Sequence, residues 1–143
     1  MEIGSLGSIP FSVSADKILT FSDFGRSGGG RWQKHELLGK KPVLEFIGPD
    51  TEKIELKIQL RADHGINPKT ELEKLRKMRD TGEILPFILN GTPVSDNYWV
   101  IENISEDVSY WTGEGIILSA TVSITLQEYS KEGLINVINR NNG

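Results

Sequence analysis

Apolar and polar side chains alternate without interruption from residue 54 to residue 61. Ile54, Leu56, Ile58 and Leu60 fall on one side, and Glu55, Lys57, Gln59 and Arg61 on the other. A period of two sends successive side chains to opposite faces of an extended chain, so this segment is a strand with one packed face and one wet face. A longer alternation runs from Gly115 to Tyr129. Ile116, Leu118, Ala120, Val122, Ile124 and Leu126 make its apolar face. Ile117, Ser119, Thr121, Ser123, Thr125 and Gln127 make the other, which is small, uncharged and rich in hydroxyls. Tyr98 to Trp111 is its antiparallel partner, joined to it through Thr112-Gly113-Glu114.

Shorter elements complete the pattern. Pro10–Ser14 and Ile18–Asp23 read as strands around a turn at Ala15-Asp16-Lys17. Trp32–Leu38 pairs with Val43–Ile47 across Gly39–Pro42, and Ile84–Leu89 is a further strand before the tight-turn pair Asn90-Gly91. Gly48-Pro49-Asp50 is another turn signal. Phe24–Arg31 contains Gly28, Gly29 and Gly30 in a row, with Gly25, Arg26 and Arg31 beside them. Ordering three glycines costs more backbone entropy than ordering other residues. The segment therefore reads as a loop that is mobile in the isolated protein and orders on assembly.

One helix is visible, at about residues 68–80. Asn67 can cap it with Pro68 at the first helical position, and Thr70-Glu71-Leu72-Glu73 offers a capping box as an alternative start. Glu71 and Glu73 come early and Lys74, Arg76, Lys77 and Arg79 late, which complements the helix dipole; Gly82 supplies the stop. Its apolar stripe, Leu72, Leu75 and Met78, is narrow enough to suit one helix lying on a sheet. About eight strands and one helix give an α+β, mainly β class: an antiparallel β-sandwich or barrel with one packed helix. Residues 1–129 form this domain. Residues 130–143 are a C-terminal tail, read either as a docking segment or as a stretch that orders only against a partner.

Charge and composition narrow the function mostly by exclusion. Sixteen Lys and Arg stand against twenty Asp and Glu, a net charge of −4 over 143 residues. A duplex-DNA binder needs a cationic footprint, so sequence-specific nucleic-acid binding is not expected. No run is long and apolar enough for a spanning helix, and Met1–Gly7 lacks the basic and apolar regions of a signal peptide. The absence of cysteine removes disulfides, thiolate nucleophiles, iron–sulfur clusters and Cys-ligated zinc.

Candidate catalytic groups do not converge. Asp63 and His64 are sequence neighbours, which on a strand would point to opposite faces, and His35 is the only other histidine. No Gly-x-Ser-x-Gly elbow precedes a helix. The glycine run lacks the Lys-Ser/Thr ending of a phosphate-binding loop, leaving either an anion nest flanked by Arg26 and Arg31 or an assembly loop. Glu102, Glu106, Asp107 and Glu114 are scattered as on a solvated face. The pairs Tyr98-Trp99 and Tyr110-Trp111 should each send one ring inward and one outward, the outward one serving either as an interface anchor or as a stacking platform. No metal and no cofactor are expected.

The order of segments resembles the GpU tail-protein family of contractile-tailed phages and phage-tail-like bacteriocins. The resemblance rests on Ile3-Gly4-Ser5-Leu6-Gly7, Phe11-Ser12-Val13-Ser14, Arg31-Trp32-Gln33-Lys34-His35-Glu36 and Lys41-Pro42-Val43-Leu44-Glu45-Phe46-Ile47-Gly48-Pro49. It continues through Gly65-Ile66-Asn67-Pro68, Leu75-Arg76-Lys77-Met78-Arg79-Asp80-Thr81-Gly82 and Leu126-Gln127-Glu128-Tyr129, covering residues 3–129. It implies a non-enzymatic structural protein with a tail-tube-like fold, forming a ring of six copies at the junction of tube and baseplate hub, as a tube initiator. A terminator ring at the head-proximal end is the alternative, and a small ligand-binding enzyme a remote one. The implied partners are other copies of the chain, tube and hub or baseplate proteins and the tape measure. The implied location is the virion, or a tail-like particle, assembled in the host cytoplasm. Within that reading Gly25, Arg26, Gly28, Gly29, Gly30, Arg31, Trp32 and Trp111 are candidate interface residues. Glu55, Lys57, Gln59 and Arg61, with Ser119, Thr121, Ser123 and Thr125, line either a lumen or an ordinary solvent face.

Overall fold

The computed structural model describes residues 2–14 and 17–132. The chain opens with β1 (Glu2–Leu6), β2 (Ile9–Val13), β3 (Ile18–Leu19) and β4 (Phe21–Ser27). It continues through β5 (Gly30–Leu37), β6 (Lys40–Pro49) and β7 (Lys53–Arg61). A 3-10 turn at Ala62–His64 leads into α1 (Pro68–Asp80), followed by β8 (Phe87–Leu89), β9 (Thr92–Pro93), β10 (Tyr98–Trp111) and β11 (Ile117–Tyr129).

These strands form three antiparallel sheets. One has five strands in the order β3-β2-β1-β8-β9, one has four in the order β10-β11-β7-β4, and β5-β6 stand alone. A single hydrophobic cluster joins the two larger sheets. Leu6, Ile9, Phe11, Leu19 and Phe87 come from the first; Ile54, Leu56, Ile58, Leu60, Trp99, Val122, Ile124 and Leu126 come from the second. The alternation read from residues 54–60 is realised in full: each of its four aliphatic residues is at most 2% exposed. Each such side chain contributes about 1.5–3 kcal/mol on burial. The helix lies against β10, β11 and β7, and inserts Leu72, Leu75 and Met78 into the same cluster. The class is α+β, mainly β, as the sequence implies. Of the two architectures left open, the sheets make an open sandwich with free edges, not a closed barrel.

Local chemistry sets the boundaries. Asn67 is extended and its side chain accepts from the Thr70 amide at 3.4 Å, with Pro68 at the first helical position. Thr70 lies inside the helix, so the capping-box start is not used. Gly82 follows the end of the helix in the left-handed region at φ +63°, where its amide donates to the Arg79 carbonyl. Asn67→Ala is expected to cost about 1 kcal/mol, read as a small fall in thermal midpoint with the fold unchanged. Gly4 sits where β1 is flanked by β2 and β8; a Cβ there would lie 2.1 Å from the Ile88 carbonyl oxygen, so only glycine fits this close approach.

Several expectations are corrected. Phe24–Arg31 is not one loop: β4 runs to Ser27 and β5 starts at Gly30, so only Gly28 and Gly29 link them. Gly48 and Pro49 still belong to β6, and the expected turn there starts later. Ile116 and Leu118 do not share the buried face; they are 56% and 40% exposed. Tyr110 pairs with Ser119 and Trp111 with Ile117, which leaves Leu118 without a partner in a bulge. The extra residue inverts the alternation, so Ile117 packs on the core in its place. Leu6 and its neighbours form a strand that the sequence reading passed over. The turn at Ala15-Asp16-Lys17 falls partly outside the described residues, although Ser14 and Lys17 at its ends are hydrogen-bonded at 2.9 Å. The reading of residues 130–143 as a tail lies almost wholly outside them.

Candidate functional site

The two polar faces expected separately along β7 and β11 are one surface. Arg61 is opposite Ser119, Gln59 opposite Thr121, Lys57 opposite Ser123 and Glu55 opposite Thr125. On the far side of β11 the same rows continue into Asn103, Ser105 and Asp107 of β10. On the other side they reach Ser22 and Gly25 of β4. The four-stranded sheet therefore presents a wet face four strands wide, built of small hydroxyls and of charges of both signs. Lys57 lies 3.7 Å from Asp23 and Lys53 3.3 Å from Glu102. On β11, Ser119, Thr121, Ser123 and Thr125 are half-buried between longer neighbours, while Ser22 and Ser105 are exposed.

The edges of this sheet are open. On β10, Trp99 exchanges two backbone hydrogen bonds with Leu85, at 2.7 and 2.8 Å; beyond it no further strand pairs with that edge among the described residues. The β4 edge is likewise unpaired. Antiparallel order down the sheet makes β10 run parallel to β7 and β4 run opposite to both.

At one end of β7 the Arg61 guanidinium grips Asp63 with two bonds, at 2.7 and 2.9 Å. That hydrogen bonding holds the Asp63 carboxyl below its usual range and raises Arg61 further. The linkage favours the fold above the ordinary carboxylate range and fades as pH falls through the depressed value. Asp63 and His64 occupy a 3-10 turn where a strand was assumed. They still fail to converge, because Asp63 is engaged by Arg61. His64 Nδ1 is buried without a partner among the described residues, while His35 is far along the chain, 2.7 Å from Glu45. Among the described residues no group of His, Asp and Glu is placed to hold a metal ion.

The most unusual feature is the β5–β6 hairpin. Its strands turn tightly at Leu38 and Gly39, the latter at φ +68°. An eight-residue strand is about 27 Å long. Every residue of β5 is exposed, and among the described residues the hydrogen bonds and ion pairs of residues 31–48 lie within the hairpin. It is therefore a projecting arm. Trp32 and Phe46 meet across it with ring centroids 5.0 Å apart and planes tilted by 49°, over Gly30, whose missing side chain leaves them room. Trp32, Phe46 and Leu44 nonetheless remain 56–58% exposed, and Leu38 at the turn is fully exposed. A two-stranded ribbon is at best marginally stable alone in water, and a large exposed apolar surface marks an interaction site.

The candidate interface residues are thus distributed unevenly. Gly25 pairs with Glu55 inside the sheet. Arg26 is anchored to Glu52 and to the Val94 carbonyl, so it fixes the base of the arm. Gly28 and Gly29 form the link, and Gly30, Arg31 and Trp32 begin the arm itself. Trp111 stands elsewhere, at the β10–β11 tip, close to the Arg61 end of β7, whereas the arm leaves from the Lys53 end. Trp99 is buried, as one ring of its pair was expected to be, but Tyr110 and Trp111 are both exposed, at 68% and 56%. At the tip the hairpin outruns the rest of the sheet, so neither ring has a core to enter. Sequence reasoning missed Leu38, Leu44, Phe46 and Ile116; the signal available was the apolar run Val43-Leu44, Phe46-Ile47, which has no alternation.

Residues 7–131 match the protein-family model described as Phage P2 GpU. The chain belongs to the Phage P2 GpU family. The match takes in the four-stranded sheet, the helix, the arm and every strand of the five-stranded sheet except β1. A member of the GpU family is a structural protein of the phage tail, a component of the virion that contacts other tail proteins. No curated protein matches this GpU-family chain. None of its helices, among the described residues, is long and apolar enough to cross a membrane.

Proposed function

We propose that this protein is a non-enzymatic, ring-forming subunit of a contractile tail, built like a tube protein and placed where the tube meets the baseplate hub. The observation that carries the reading is the four-stranded sheet. It has a continuous polar face, two open edges, and edge strands that run in opposite directions. Copies set edge to edge keep the antiparallel alternation, with β10 of one beside β4 of the next. Repetition around an axis then covers both edges of this sheet, which an isolated copy leaves exposed.

Six copies would supply 24 strands, and barrels of 16–18 strands already enclose an aqueous channel. Glu55, Lys57, Gln59 and Arg61, interleaved with Ser119, Thr121, Ser123 and Thr125, would line that channel. Hydroxyls and mixed charges hold nothing in the channel tightly, as a passage for tape measure and nucleic acid requires. The test is location and copy number. Purified particles carrying a small tag on this subunit should show one ring of density at the baseplate end, with six copies by mass. Label at the head-proximal end would favour the terminator role instead. Absence from intact particles would remove the proposal.

A further inference from the structure

We infer that the arm of one copy lies against the β10–β11 tip of another copy, a contact that rests on the self-assembling reading above and adds its chemistry. Both surfaces are apolar and exposed. The arm offers Trp32, Leu38, Leu44 and Phe46; the tip offers Tyr110, Trp111, Ile116 and Leu118. Beside the tip lies a cleft of about 380 Å³ walled by Arg61, Asp63, Tyr110, Trp111 and Leu118, suited to receive a knob such as Leu38.

Charge selects the pairing. Residues 30–49 carry four cations, Arg31, Lys34, Lys40 and Lys41, against Glu36 and Glu45, a net +2, so the rest of the chain carries −6. Residues 98–118 contain four carboxylates and no lysine or arginine; Glu102 and Glu106 are paired with Lys53 and Arg76, which leaves Asp107 along the strand and Glu114 at the tip. Lys40 and Lys41 at the end of the arm have no ionic partner among the described residues, and neither does Glu114 at the tip. An arm against an arm would bring like charges together; an arm against a tip brings opposite charges together around an apolar centre. The arm roots at one end of β7 and the tip lies at the other, about 30 Å apart over its nine residues, and both surfaces are exposed, so within one copy they do not cover each other.

The test uses the full chain. Light and heavy-isotope protein are mixed and treated with a carbodiimide, which joins a lysine amine directly to a carboxyl. Expected products are mixed-isotope peptides linking Lys40 or Lys41 to Glu114. Reversing the arm charges with K40E and K41E should weaken self-association by at least about tenfold, and mixing with an E114K copy should recover part of that loss. Thermal melts of the variants exclude unfolding as the cause. Oligomers that form without these links, or that ignore the reversal, overturn the contact and leave the ring reading standing. Links found only within a closed dimer keep the contact and overturn the ring. A chain that never self-associates removes both.

Discussion

Deleting residues 30–49 and joining Gly29 to Asp50 is expected to abolish incorporation into tails while leaving the body folded. The Asp50 amide already donates to the Gly29 carbonyl at 2.9 Å, so the cut ends are neighbours and rejoining them demands no rearrangement. None of the core cluster comes from the arm. The thermal midpoint should move by only about 2–4 °C, the shift of a 1 kcal/mol change in a domain of this size. Complementation of a deletion phage should fall to background. Normal tails bearing the shortened subunit would refute an assembly role for the arm. A collapse of the melting transition would show that the body depends on it.

Trp99→Ala should have the largest effect on stability. Trp99 is 0% exposed, the largest fully buried side chain, at the point where β10 meets Leu85. Truncating a buried tryptophan costs about 3–5 kcal/mol. Against a total of about 5–15 kcal/mol, that is enough to leave an appreciable unfolded fraction. Trp99 Nε1 has no hydrogen-bond partner among the described residues. Trp99→Phe therefore removes an unpaired polar group as well as volume, and its loss should be distinctly smaller. Denaturant titration of both variants checks the order; equal losses would contradict it, as would an alanine variant within about 1 kcal/mol of the parent.

Much of the body was legible because its signals are local. Ile54 to Leu60, Ala120 to Leu126 and the Asn67-Pro68 start each declare an element through periodicity or capping alone. What could not be read depended on distant partners. The register that merges Glu55 with Thr125 and Lys57 with Ser123 into one surface exists only once β7 and β11 pair. The bulge at Leu118 inverts two side chains that strict alternation places wrongly. The arm was hardest: its strands were correctly paired from the sequence, but apolar residues such as Leu44 and Phe46 imply burial, and the isolated subunit provides none. The glycine run misled in the opposite sense, since Gly25 and Gly30 serve strands and only two residues make the link. Of the candidate interface residues, Arg31 and Trp32 stand on the arm and Trp111 on a surface at the other end of the molecule.

The narrow root of the hairpin, two glycines on one side and Asp50 on the other, separates what must fold from what must recognise. Substitutions beyond that root carry little folding penalty, because no residue of the arm belongs to the core cluster. The sandwich beneath it stays fixed. Exchanging the ribbon alone between family members should then leave the scaffold folded but break the match to its own β10–β11 tip, and exchanging ribbon and tip together should restore it.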